Sequence, residues 1–214
     1  DSPPGCICAV GIFLQKDLFA RREGPELPAP RKEGEMRKET RRHIIVVTAC
    51  DSSAAPNIAA RQLRISRAIA RDFADAVAAY SRLSATQAPK VELTELKTWQ
   101  EAPQQAEPFS LVLVCPLSAN DAHTCMLSEA IEHIAKNLPR SNKPLIYVIA
   151  YGDDSPSESG RQALAALQPD IEGLGANWGG ALLLGGADTL ERLYRLPRLG
   201  AHRRPISQAI DLLV

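Results

Sequence analysis

Apolar and polar residues follow one another along this chain in short blocks, and four of the apolar blocks are too short to form buried helices. The clearest covers residues 111–115 and ends at Pro116, which cannot donate a hydrogen bond to a sheet ladder. The other three cover residues 43–49, 144–150 and 181–184. Such runs predict strands covered on both faces, as in a parallel sheet. Residues 91–96 alternate apolar and polar positions, which predicts a less buried strand.

Helical periodicity separates these predicted strands. Apolar residues recur at the spacing of an amphipathic helix over residues 58–83, between the first strand and the second. Shorter helical patterns cover residues 127–138, 158–167, 188–194 and 205–213. Strands that alternate with helices predict an α/β domain over residues 43–214, built as a three-layer αβα sandwich around a mostly parallel sheet.

Residues 1–42 differ from the rest of the chain. Apart from one short apolar segment they are dense in proline, glycine and charge, and such a composition cannot bury enough apolar surface to order itself. We therefore predict a poorly ordered N-terminal extension. Met36 lies shortly before the first convincing strand, which suggests a natural start near that residue.

Composition narrows the classes of function. The 214 residues include 25 basic and 25 acidic side chains, so net charge provides no general attraction to nucleic acid or to an anionic membrane. The basic segments at residues 31–42 and 192–204 are predicted to be solvated surface. Five cysteines without a repeated spacing argue against a disulfide framework or a metal site, and favour a reducing, cytoplasmic compartment. No apolar run reaches the ~18 residues that a membrane span requires.

Several motifs of α/β enzymes are missing. The chain contains no G-x-G-x-x-G, no G-x-x-x-x-G-K-[ST] and no G-x-S-x-G, which excludes the usual dinucleotide, P-loop and serine-hydrolase interpretations. His123 lies near Asp121 and Cys125 and suggests acid/base or nucleophilic chemistry, but no third orienting residue can be placed, so a loop or cap role is favoured. No catalytic residue is predicted.

Four segments resemble the flavodoxin-like superfamily, and more narrowly its branch of NAD(P)H-dependent FMN reductases and flavodoxin-related proteins. They are the Ser-rich strand end at residues 46–53, the Val-Cys-Pro-Leu phrase at residues 114–117, the Lys-Pro-hydrophobic strand at residues 143–149 and the Trp-Gly-Gly segment at residues 178–186. The likeness spans residues 43–213. It implies a five-stranded parallel sheet of order 2-1-3-4-5.

The resemblance also implies an FMN site at the carboxyl edge of the sheet, with NAD(P)H as cosubstrate. The phosphate would bind in the loop after the first strand, through Ser52, Ser53 and Asn57, at the start of a helix. The ring would lie between the loops after the third and fourth strands, against Pro116, Leu117, Ser118, Ala119, Asn120, Tyr151, Gly152 and Asp153. Ser52 or Ser53 could instead only cap the helix.

The chain departs from this family pattern in its loops. Ala54, Ala55 and Pro56 stand where the family has glycine, and Ser118 stands where an aromatic stacks on the flavin. Two interpretations therefore remain open. One is an FMN-binding NAD(P)H-dependent oxidoreductase or electron carrier with a small-molecule acceptor, acting as a homodimer. The other is a cofactor-free binding or regulatory module of the same fold, with a degenerate flavin site.

Overall fold

A computed structural model describes residues 12–15, 43–83, 89–99, 109–117, 125–137, 144–153, 157–198 and 200–214. Within these ranges six strands form one sheet: β1 (Ile12–Gln15), β2 (His43–Thr48), β3 (Lys90–Glu95), β4 (Phe109–Pro116), β5 (Leu145–Tyr151) and β6 (Asn177–Leu184). Their order across the sheet is β1-β6-β5-β4-β2-β3. Strands β2 to β6 are mutually parallel and, numbered by themselves, have the order 2-1-3-4-5. The predicted sandwich and strand order are therefore confirmed.

Strand β1 was not predicted. It pairs antiparallel with β6, from Ile12 opposite Leu184 to Gln15 opposite Ala181. Four residues are too few for a sequence pattern to identify, and the strand depends on the free edge of β6. The rest of the predicted extension, residues 1–11 and 16–42, lies outside the described residues, so the boundary at residue 43 stays a prediction.

The helices are α1 (Pro56–Leu83), α2 (Leu96–Trp99), α3 (Cys125–Asn137), α4 (Glu158–Gly173), α5 (Ala187–Leu193) and α6 (Arg204–Leu213). Helix α4 continues past the predicted end at residue 167 and includes Pro169, and its last turn buries Ile171 in the core. In the part of the chain that the structure describes, no helix combines the length and the apolar character needed to cross a membrane.

The central strands are buried on both faces. In β4, Leu111 and Leu113 pack in the cluster that contains α3 and α4, whereas Val112 and Val114 pack in the cluster that contains α1, α5 and α6. All four side chains are fully buried. Because both faces are covered, the strand has an unbroken apolar run instead of an alternating pattern.

The basic segment predicted to be solvated at residues 192–204 is partly buried instead. Arg203 is 8% exposed, and its guanidinium lies 4.5 Å from the centre of the Tyr194 ring. Arg198 and Arg203 both pair with Asp72 of α1, which has no exposed surface, at 2.8 and 3.1 Å. These charges join α6 and the turn before it to α1.

Candidate functional site

The carboxyl ends of β2, β4 and β5 lie side by side. Backbone hydrogen bonds link the segments that leave them: the N–H of Ala49 donates to Val114 O at 2.9 Å, and that of Leu117 to Tyr151 O at 2.7 Å. The chain order reverses between β2 and β4, and such a switch point is where open α/β sheets bind ligands. Pro116 is buried and Leu117 half-buried, while Ser118, Ala119, Asn120 and His123 lie outside the described residues.

Asp51 organises the loop between β2 and α1. Its Oδ1 atom accepts hydrogen bonds from the backbone N–H and the hydroxyl of Ser53, at 2.8 and 2.6 Å. The N–H of Asp51 in turn donates to Oε1 of Gln62, at 2.9 Å. The hydrogen bond from the Ser53 side chain, followed by backbone donors, holds the pKa of Asp51 below its ordinary value. A carboxylate is therefore fixed in this loop.

The predicted phosphate contacts do not form a vacant anion site. Ser53 directs both its donors to Asp51, and its hydroxyl binds that carboxylate instead of a helix amide. Ser52 and Asn57 are exposed. A phosphate here would replace Asp51 at these donors and lie beside its negative charge, which is unfavourable. The loop as it stands does not fit the phosphate of FMN in the expected way.

Tyr151 ties β5 to α1. Its side chain is 1% exposed, and its hydroxyl donates to the carbonyl of Gln62 at 2.6 Å and lies 2.9 Å from the Ser66 hydroxyl. Ser66 also donates to Ala49 O at 3.1 Å, so the same group reaches the end of β2. Burial raises the pKa of Tyr151. The ring predicted to contact a flavin is thus part of the core between two layers.

Gly152 and Asp153 serve to connect neighbouring segments. Gly152 donates to Leu184 O at 2.9 Å and accepts from the N–H of Ala187 at 3.0 Å, which joins the ends of β5 and β6 to α5. Asp153 pairs with Arg61 of α1 at 3.4 Å. Arg61 also pairs with Asp188 and with Glu191. Three carboxylates therefore surround this guanidinium.

A pocket of about 460 Å³ lies one strand further out, where β2 and β3 end. The lining residues come from β2 and the loop after it (Thr48, Ala49, Cys50 and Ser52), from α1 (Leu63), from the end of β3 and the start of α2 (Glu95, Leu96 and Lys97), and from α3 (Glu129, Ala130 and His133). Of the residues predicted to bind a cofactor, Ser52 lines this pocket. The pocket has apolar walls and a few ionisable groups, which is the usual make-up of a small-molecule site.

Sequence reasoning missed the groups that β3 and α3 contribute. Glu129 is exposed and His133 is half-buried, and both line the pocket. The predicted strand order could have indicated where this pocket lies. It places β3 beside β2, so the residues that follow these two strands meet at one edge.

The chain matches no protein-family model, and no curated protein sequence matches it. One solved structure that is similar to this chain is an oxidoreductase from Corynebacterium diphtheriae. It shares 13% sequence identity with a TM-score of 0.47, and the alignment covers 81% of this chain and 93% of that one. A likeness this distant says nothing about the chemistry of the present chain.

Proposed function

We propose that this chain is a cofactor-free small-molecule-binding module with a flavodoxin-like sheet. The observation that carries the proposal is the Asp51 carboxylate, which takes the N–H and hydroxyl of Ser53 in the loop where FMN-binding relatives would hold a phosphate. Because the pKa of Asp51 is lowered, the group is ionised at neutral pH and opposes a second anion.

The neighbouring groups support the same proposal. The Tyr151 hydroxyl is engaged with Gln62, so exposing its ring to a ligand would break buried hydrogen bonds. Arg61 is close enough to the edge to attract a phosphate, but it already pairs with Asp153, Asp188 and Glu191. A ligand that carries a phosphate therefore gains little here.

An FMN-dependent oxidoreductase is the second candidate. The sheet order favours it, and so does the first turn of α1, which contains no acidic residue and lies at the switch point. Bound FMN would take a hydride from NAD(P)H and pass electrons to a small-molecule acceptor, and the protein would position it, as a monomer or as a homodimer.

Flavin titration separates the two candidates. Purified wild-type protein is expected to be colourless and to leave the fluorescence of added FMN unchanged. Asp51→Ala frees the Ser53 donors and removes the charge, so this variant is expected to quench FMN fluorescence. Asp75→Ala is the matched control, since Asp75 is an exposed residue further along α1.

Two outcomes of the flavin titration would contradict the proposal. Wild-type protein that purifies with the yellow absorbance of oxidised flavin, and that oxidises NADH or NADPH, would overturn the proposal in favour of the oxidoreductase. If Asp51→Ala binds FMN no better than Asp75→Ala does, Asp51 is not the group that excludes the phosphate.

A further inference from the structure

We infer that the pocket lined by Cys50, Glu129 and Lys97 binds a small zwitterion, such as an α-amino acid with an apolar side chain. This inference rests on the proposed function, because it names the class of ligand that a cofactor-free module of this fold would take. The ligand site then lies at the ends of β2 and β3, and not in the flavin cleft predicted between the loops after β2, β4 and β5.

The size and the walls of the pocket fit a small organic molecule. A volume of about 460 Å³ falls within the range of roughly 300–1,000 Å³ that ligand pockets occupy. Ala49 contributes apolar surface from the loop after β2 and Leu63 from α1, and Leu96 and Ala130 contribute it from α2 and α3. These side chains can cover the apolar part of a ligand from several directions.

The charges of the pocket lie on different elements. Glu95 forms an ion pair with Arg67, so its charge is compensated within the protein. Among the described residues, Glu129 of α3 and Lys97 of α2 form no ion pair. Among the lining residues that the structure describes, one exposed carboxylate and one exposed ammonium group are therefore left to interact with a ligand in the pocket.

This pair of charges selects between classes of ligand. An organic phosphate or a dicarboxylate would gain from Lys97 but would be repelled by Glu129 and by the nearby Asp51. A simple amine would gain from Glu129 and lose at Lys97. A molecule with one ammonium and one carboxylate gains at both, and an apolar side chain would cover the walls.

Three probes with the same side chain test the charge requirement. L-phenylalanine carries both charges, L-phenylalaninamide lacks the carboxylate and N-acetyl-L-phenylalanine lacks the ammonium. Calorimetric titration of the full chain is expected to give the lowest Kd for L-phenylalanine, with each blocked probe weaker by about fivefold, the effect of one solvent-screened ion pair.

Charge-neutralising variants assign the two contacts. Glu129→Gln is expected to remove the preference for L-phenylalanine over its N-acetyl derivative, and Lys97→Gln the preference over its amide. Glu132→Gln and Lys136→Gln change equivalent residues that are exposed on α3 and do not line the pocket, so they should leave all three affinities unchanged. Equal binding of the three probes, or no binding of any at millimolar concentration, overturns the inference.

Cys50 provides a test of occupancy, because this half-buried residue lines the pocket. Alkylation by iodoacetamide, followed residue by residue with mass spectrometry, should be slowed at Cys50 by L-phenylalanine; Cys115, which is fully buried, should stay unmodified with or without the probe. Binding without protection of Cys50 would place the ligand elsewhere. Failure of this test leaves the outcome of the flavin titration unaffected, whereas flavin binding by the wild-type protein contradicts the proposed function on which this inference rests.

Discussion

At Gly179 the ring of Tyr147 lies directly against the backbone of β6. A Cβ atom added to Gly179 would be 2.7 Å from the ring carbon Cε1 of Tyr147. The pairing with β5 is irregular at this point, since Ile146 lies opposite Trp178 and Tyr147 opposite Gly180. Gly180 has a φ of 125°, which residues with a side chain rarely adopt. The Trp-Gly-Gly segment is therefore a bulge that only glycines accommodate.

Gly179→Ala is expected to lower the free energy of unfolding by about 1–3 kcal/mol, because the methyl group must displace the Tyr147 ring or the strand. Urea denaturation monitored by circular dichroism measures the change. Gly173→Ala is the matched control: its Cβ would meet nothing within 4 Å at the end of α4, so stability should change little or rise slightly. Equal stability of the two variants would show that β6 adapts to the side chain.

Alkaline pH should destabilise the protein through its buried tyrosines. Burial raises the pKa of Tyr151 and of Tyr194 above the usual value near 10. Above that pH the unfolded chain loses these protons while the folded chain retains them, so stability is fully present below pH ~10 and is lost as pH rises further.

The urea midpoint measured from pH 7 to pH 11 checks this dependence. Tyr151→Phe is expected to cost about 1–2 kcal/mol at pH 7, through the lost hydrogen bond to Gln62, and to show a shallower decline above pH ~10. Tyr80→Phe, at a position that is 45% exposed, should behave like the wild type at every pH. A decline as steep in Tyr151→Phe as in the wild type would exclude Tyr151 as its source.

The sequence predicted the loops in which polar side chains lie, but not the partners that these side chains bind. Ser53 is in the loop where the sequence predicted it, yet its partner is Asp51, two residues away. Tyr151 was predicted in the loop after the fourth strand, yet it is the last residue of β5 and its hydroxyl donates to the carbonyl of Gln62 in α1. A hydroxyl or an aromatic ring can contact either a ligand or another part of the protein. Which of the two it contacts depends on the distances between elements, which the sequence does not give.

At the scale of elements, Asp72 holds the last helix to the longest one. The carboxylate has no exposed surface and accepts hydrogen bonds from Arg198 Nε at 2.8 Å and from the Ser207 hydroxyl at 3.4 Å. Arg203 pairs with it at 3.1 Å, and Arg198 also pairs with Asp211 of α6. The sequence could not indicate this cluster, because Asp72 lies 126 positions from Arg198 and 135 from Ser207 along the chain, and its charged members look like ordinary surface residues.

Asp72→Asn is expected to destabilise the protein by about 3–5 kcal/mol, since it leaves two largely buried guanidinium groups with less compensating charge. Differential scanning calorimetry should show a lower Tm, and hydrogen exchange should be faster in α6 than in the wild type. Asp75→Asn, on the exposed side of α1, is the control. A loss as small as that of the control would mean that packing alone holds α6 in place.

At the scale of the molecule, the alternation of strands and helices was sufficient to predict the three layers and, through the family resemblance, the order of the parallel strands. Four of the parallel strands contain an apolar run and β3 has an alternating pattern, so the existence of each strand follows from its own sequence. The edges of the sheet are different. Strand β1 and the pocket beside β3 both depend on which segments meet at an edge of the sheet. A local pattern of apolar and polar residues does not predict which segments these are.

Strand β1 lies before Met36, so a chain that starts at Met36 would lack one strand of the sheet. A chain that begins at Met36 lacks Ile12–Gln15, so the outer edge of β6 from Ala181 to Leu184 loses its antiparallel partner. Unpaired strand edges bind other chains. The shortened chain is therefore expected to form dimers or larger species in size-exclusion chromatography with light scattering, and to exchange its amides at residues 181–184 faster than the full chain does. A shortened chain that stays monomeric and equally protected would show that β6 needs no partner, and the sheet would then be complete with its five parallel strands.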